Sequence, residues 1–173
     1  MRKGILAILF VVAAQASQAQ LEIAKLVGKN SSDYGLGYGG FLKVGYPLTV
    51  RSDVSLELGV TFFFLKAGGG SGIGLIPLKA GYRYVLNPAG TGFYIEPQLG
   101  YNIYGGGSTI DNVVTPVRGP ILSLGAGYLF KPAGKIQIDL GLRYESLIYN
   151  GGSVNYFALR VTHNFSLKIR DTD

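Results

Sequence analysis

The chain contains no cysteine. Disulfides are excluded, and with them a lipid-modified N-terminal cysteine of the lipoprotein type. Charge is also scarce: Asp, Glu, Lys and Arg together make up 15% of the 173 residues, against 47% hydrophobic. Disorder needs the opposite balance and is excluded. Yet beyond the first segment no apolar run approaches the roughly 20 residues that a bilayer-spanning helix requires. There is a single histidine, His163, and no cluster of His, Asp and Glu with metal-ligand spacing accompanies it. The formal net charge is +6, and removing Arg2 and Lys3 leaves about +4. Such a small, scattered excess on an exported chain points away from nucleic acid as a partner.

What the chain does have is glycine, 27 residues of it, and positive mean hydropathy carried by short runs. Its first segment stands apart. Arg2-Lys3 is a basic n-region, Ile5 to Ala14 is uncharged and apolar, and Ser17-Gln18-Ala19 offers small residues three and one before a cut. This pattern predicts a secretory signal peptide over 1–19, cut before Gln20, with a cut after Ala16 as the second option. The domain expected from 20 to 169 is followed by a polar tail, 170–173.

The stretch from Gly74 to Tyr104 sets the reading of that domain. Ile76, Leu78, Ala80, Tyr82, Tyr84 and Leu86 alternate with Pro77, Lys79, Gly81 and Arg83. After Asn87-Pro88-Ala89-Gly90 the alternation resumes, with Phe93, Ile95, Pro97, Leu99, Tyr101 and Ile103 against Glu96, Gln98, Gly100 and Asn102. A period of two on both sides of a Pro/Gly turn reads as a β-hairpin. Ala126 to Gly134 echoes Ala80 to Gly90: an Ala-Gly-Tyr strand segment and then a Pro-Ala-Gly turn that suits a type I geometry. Further alternating runs lie at 34–48, 54–64, 120–130, 136–145 and 157–168, and a weaker one at 21–28. The longest loop is 105–116.

One face of every run is bulky and apolar; the other carries glycine and charge. Apolar-out, polar-in strands of this length suit a membrane barrel. In lipid an open sheet edge leaves unpaired backbone groups, so the strands must close on themselves. Tight turns near 47–53, 87–91 and 131–135 belong to the periplasm, and the longer loops lie outside. Threading back from these requires 21–28 as a first ascending strand. The fold class expected is all-β: an eight-stranded antiparallel up-and-down transmembrane β-barrel. Its aromatics fall into two bands near the strand ends, as interfacial girdles do.

The chain resembles the small eight-stranded outer-membrane β-barrels, the group of OmpX and the OmpA membrane domain, over roughly residues 20–169. The architecture carries the resemblance, together with the alternating last strand, where Phe157, Leu159, Val161 and Phe165 match that group's C-terminal assembly signal. His163 occupies a position that is usually apolar. The resemblance implies the outer membrane as location, its lipid and lipopolysaccharide as surroundings, the barrel-assembly machinery as a partner during insertion, and a monomer.

The inward set collects Lys43, Glu57, Lys79, Arg83, Glu96, Asp139, Arg143, Glu145 and Arg160. Eight strands enclose an interior just wide enough for side chains to fill. Charges held there must pair, because an unpaired buried charge costs several kcal/mol. A structural ion-pair network is the expectation, and a structural or surface-interaction barrel the expected function. Three alternatives compete: a narrow gated channel, a lipid A-modifying enzyme, and a soluble periplasmic barrel for an apolar ligand. No catalytic residue, cofactor or metal is predicted. Gly35-x-Gly37-x-x-Gly40 spells a dinucleotide fingerprint, but that motif works only between a strand and a helix, and here it lies inside an alternating run. His163 faces outward near the periplasmic end, with Ser166 on the opposite face, so no Ser–His pair forms.

Overall fold

A computed structural model describes residues 17–29, 31–66, 72–108, 114–133 and 136–164. The strands are β1 (Ser17–Val27), β2 (Tyr34–Pro47), β3 (Ser52–Leu65), β4 (Gly72–Val85), β5 (Gly92–Ser108), β6 (Val114–Pro116), β7 (Gly119–Ala133), β8 (Ile136–Tyr149) and β9 (Gly152–Asn164). A 3-10 turn at Ser31–Asp33 is the only helical element among the described residues. Each barrel strand pairs antiparallel with its chain neighbours, and β1 closes the sheet on β9 with Leu21 opposite Val161. Eight strands thus form a closed up-and-down barrel; short β6 pairs only with the outer end of β5. Closure leaves no sheet edge with unpaired backbone groups.

Two boundaries differ from the sequence reading. The 105–116 segment is not a plain loop: Gly106 and Gly107 pair with Pro116 and Thr115, so β5 and β6 extend the wall as a two-stranded ribbon. Backbone groups that would otherwise need water or side chains find partners in the ribbon. At the other end, β1 begins at Ser17 rather than Leu21, because Gln18 and Ala19 pair with β2 on one side and β9 on the other. The Asn87–Gly90 turn closes as expected, with Gly90 N donating to Asn87 O at 3.0 Å and Gly90 at a φ of +69°. The segments 1–16 and 165–173 lie outside the described residues, and so do Phe165 and the tip of the second Pro/Gly turn.

Through most of each strand the side chains face as the alternation predicts. Leu21, Leu42, Leu56, Leu99, Leu124, Leu142 and Leu159 are exposed on the outer wall, while Glu22, Lys43, Glu57, Gln98, Ser123, Arg143 and Arg160 are buried inside. Two bulges break the pattern near the outer ends. One, between Tyr34 and Gly37, turns Tyr34 inward from the facing that even numbering along β2 would give it. The other, at Ile76/Pro77 against β5, leaves both Ile103 and Tyr104 exposed. An extra residue in one strand shifts side-chain parity beyond it, which strand alternation alone cannot anticipate. The glycine motif of β2 lies within the strand; a Cβ on Gly37 would come within 2.5 Å of the Phe63 ring, so that glycine makes room for an inward aromatic.

Candidate functional site in the barrel lumen

The lumen is layered along the barrel axis. Its middle holds all nine predicted charges, every one buried, together with Glu22 from β1. They form two groups. On the periplasmic side, Glu96 receives Lys43, Arg83 at 3.1 Å and Arg160 at 2.8 Å, while Arg83 also reaches Asp139 at 2.8 Å. On the outer side, Arg143 contacts Glu22 at 2.9 Å, Glu57 at 2.7 Å and Glu145 at 2.7 Å. Lys79 bridges Glu57 at 2.8 Å and Glu145 at 2.5 Å. The first group has three cations and two carboxylates, the second two cations and three carboxylates, so the ten charges balance. Arg160 approaches Glu57 at 3.9 Å and links the two.

Polar and aromatic side chains complete this layer. The Tyr94 hydroxyl donates to Asp139 Oδ1 at 2.5 Å and accepts from Arg160 Nη2 at 3.0 Å. Tyr156 donates to Glu145 Oε2 at 2.5 Å, and Thr61 to Glu22 Oε1 at 2.8 Å. Gln98 accepts from Arg143 and donates to Glu57. Phe41 is buried among the charges, with Lys79 at 4.7 Å and Arg143 at 5.1 Å from its ring centroid. Its π face satisfies cations without presenting another acid. Tyr94 fits because Gly127 and Gly141 sit opposite each other in the wall: a Cβ on either would lie within 2.6 Å of its hydroxyl.

Above the charged layer the inward face changes character. Leu26, Phe63, Leu75, Val117, Ile121, Leu147 and Val154 form one buried apolar cluster, with Tyr34, Ile73 and Tyr149 packed against it. Leu147 is 0% and Phe63 1% exposed. Contributions come from β1, β2, β3, β4, β7, β8 and β9, so the cluster is a septum across the outer end of the lumen. At the same height the outward positions are mixed: Lys25, Arg118, Ser146, Ser153 and Asn155 stand there, and so do the exposed Leu36, Phe62, Phe64, Tyr104 and Ile148. A smaller apolar group, Val85, Tyr94 and Leu129, lies toward the periplasmic end. Vestibules of about 190 Å³ open at the two mouths, one lined by Gln18, Arg51, Asp53, Arg83 and Gln137, the other by Lys29, Tyr34, Tyr149, Ser153 and Asn155.

The sequence reading placed the nine charges inside but missed Glu22, Tyr94, Tyr156 and the whole septum. Glu22 had the required parity next to Leu21 and Ile23. Tyr149, which the sequence places in the aromatic band at the outer strand ends, instead packs inward on the septum. The other aromatic bands have partners along the outer wall: Phe93, Tyr128 and Phe130 at 4.9 and 4.5 Å between ring centroids, Tyr144 and Phe157 at 5.1 Å. Phe157, Leu159 and Val161 are exposed along the outer face of β9, and His163 pairs in register with Ala19 and Ile138.

No protein-family model matches the chain, and no curated protein matches it in sequence. Solved structures do match. Neisserial surface protein A aligns with a TM-score of 0.64 at 13% identity over 88% of this chain and 97% of that one. Ail, the attachment invasion locus protein of Yersinia pestis, gives 0.54 at 20% identity over 86% and 97%. The N-terminal β-barrel domain of Pseudomonas aeruginosa OprF gives 0.50 at 18% identity over 87% and 98%. The chain has the fold of the small eight-stranded outer-membrane β-barrel proteins.

Proposed function

We propose that this chain is a sealed integral barrel of the outer membrane with a structural or surface-interaction role. The observation that carries this reading is the filled lumen: a charge-balanced middle layer beneath an apolar septum. The outer wall supports the membrane location. Its exposed leucines, phenylalanines and tyrosines run all round the barrel, far beyond the apolar patch of a few hundred Å² that a soluble monomer tolerates. The same wall argues against a soluble periplasmic barrel, and so does an interior that is filled by side chains among the described residues. The names of Neisserial surface protein A and of Ail fit the surface-interaction reading. We read the chain as no enzyme; its histidine, His163, lies on the outward face of β9 near the periplasmic end.

Export by a cleaved signal peptide belongs to the same proposal. A cut before Gln20 would remove three residues that pair in β1, whereas a cut after Ala16 keeps the strand whole. The mass of the mature protein decides between them. Outward Phe157, Leu159 and Val161, with Phe165 following in the sequence, serve as the segment that the assembly machinery recognises, and the finished barrel stands as a monomer among lipopolysaccharide and phospholipid.

The test joins two measurements on the mature chain in lipid. Unboiled and boiled samples should migrate differently in SDS, and planar bilayers should show no conductance steps. Discrete steps from the heat-shifting form would replace the sealed barrel with a narrow channel.

A further inference from the structure

On the side of β9, β1 and β2 the outer wall is graded from apolar to charged. Leu21, Ile23 and Lys25 point outward in succession along β1. A groove of about 480 Å³ runs beside them, walled by Leu21, Ile23, Tyr38, Leu159 and Val161. Across β2 a second groove of about 470 Å³ is lined by Leu42, Leu58, Val60 and Ile76. Gly40 stands between the two, opposite Leu21 and Val60, and a Cβ there would meet only Gln20 O, at 3.9 Å. The notch that this glycine leaves therefore opens outward. At the head of the first groove, Lys25 Nζ donates to Tyr34 O at 2.6 Å and to Gly35 O at 3.3 Å. An ammonium has three protons, so one is left over. Unlike the lumen cations, Lys25 has no carboxylate partner among the described residues. Next above it on the outward face come Asn155 and Ser146, paired in register.

We propose that this face seats one lipid of the outer leaflet, a phosphorylated and acylated saccharide. Its acyl chains lie in the two grooves, a phosphate meets Lys25, and sugar hydroxyls meet Asn155 and Ser146. The proposal deepens the outer-membrane reading and rests on it. Length argues for a lipid. Leu21 to Lys25 is four residues, about 13 Å at the rise of a strand, against roughly 15 Å for half of a hydrocarbon core. A chain that fills the groove thus ends in its headgroup at the ammonium. Lys25 lies toward the outer ends of the strands, which selects the leaflet. Charge argues for a phosphate, because a hydrogen bond between two ions is stronger than one between neutral groups. Another barrel's apolar wall would leave the ammonium without a counter-charge. The polar side chains argue for a saccharide, whose hydroxyls both donate and accept. An ethanolamine or choline head would instead bring a second cation beside Lys25.

The experiment measures lipid retained by the full mature barrel in native mass spectrometry. Detergent-solubilised protein is titrated with diphosphorylated lipid A, its dephosphorylated form and phosphatidylglycerol. One lipid A per barrel should be held in preference to both of the others. Lys25→Gln should weaken lipid A about fivefold, as loss of one basic residue at a charged membrane surface does, and leave the dephosphorylated form unchanged. Gly40→Leu, which fills the notch, should weaken both forms. Arg118→Gln, beside β7 and away from the grooves, should alter neither. Equal weakening by Arg118→Gln would overturn the proposal and leave only a generic basic rim. Phosphatidylglycerol held as tightly as lipid A would overturn it too, as would equal retention of the two lipid A forms. If Lys25→Gln fails to fold, Gly40→Leu and the comparison of lipids on the unaltered barrel carry the test. The SDS heat shift and silent bilayers, measured on the same samples, report separately on the sealed-barrel reading.

Discussion

The two halves of the lumen solve the same packing problem with opposite chemistry. In the middle, apolar side chains face out and ten paired charges face in. Toward the outer end the inside turns apolar in the septum, while the wall becomes mixed, polar at Lys25, Arg118, Ser146, Ser153 and Asn155 but still apolar at Leu36, Phe62 and Phe64. Strand length explains why both regions exist. Strands of 13–17 residues, such as β9 and β5, exceed the roughly 9–11 needed to cross a bilayer. On the β8–β9–β1 side this surplus turns polar groups outward over an apolar interior, as a water-exposed wall does, whereas β2 and β3 keep apolar groups on both faces. The two regions must also differ in what they tolerate. The charged layer depends on partner identity and geometry, because each ion is desolvated; the septum depends on filled volume.

Substitutions at matched depth in the two layers sharpen that difference. Arg143→Met leaves Glu22, Glu57 and Glu145 without their shared cation. It should cost about 3–5 kcal/mol, the range for breaking a buried pair from one side, read as urea-unfolding stability in lipid vesicles. Arg143→Lys should recover little of it, since an ammonium cannot address three carboxylates as the planar fork does. In the septum, Leu147→Ala should cost about 2–5 kcal/mol through its cavity, but Leu147→Met less than about 1.5 kcal/mol because volume is kept. If both conservative exchanges behaved alike, the contrast between layers would collapse.

Smaller effects probe the edges of the network. Tyr94→Phe removes a hydroxyl that donates to Asp139 and accepts from Arg160. About 1–3 kcal/mol of stability should go with it, the cost of leaving buried partners unsatisfied. Thr162→Val should change stability by less than about 1 kcal/mol, because the buried Thr162 hydroxyl has no partner among the described residues and an isosteric apolar group loses nothing there. Equal losses at Tyr94 and Thr162 would mean that hydrogen-bond geometry in this layer is not what sets its stability.

The middle layer was legible in the sequence because only one period operates there. Lys79 and Arg83 between Leu78, Ala80, Tyr82 and Tyr84 leave a single reasonable facing. Toward the outer ends that contrast disappears. Phe62, Phe63 and Phe64 are consecutive, and so are Leu147 and Ile148; a run that is apolar on both faces carries no parity signal. The bulges at Tyr34 and Ile76 shift facing without any residue announcing them. Pairing inside the lumen was hidden for another reason. Lys43 meets Glu96 across the barrel from a strand that is not its neighbour, and alternation says which face a side chain occupies, never which partner it finds there.

The change from apolar to polar along the β8–β9 side of the wall can be measured directly, since a chain without cysteine accepts single spin labels cleanly. Labels at Leu140, Leu142 and Tyr144 on β8, then at Ser146 and at Asn155 on β9, sample one line up the outer wall. Collision with oxygen should dominate at the first three and collision with a water-soluble nickel chelate at the last two. Oxygen-dominated labels at Ser146 and Asn155, or water-exposed labels at Leu140 and Leu142, would contradict the account.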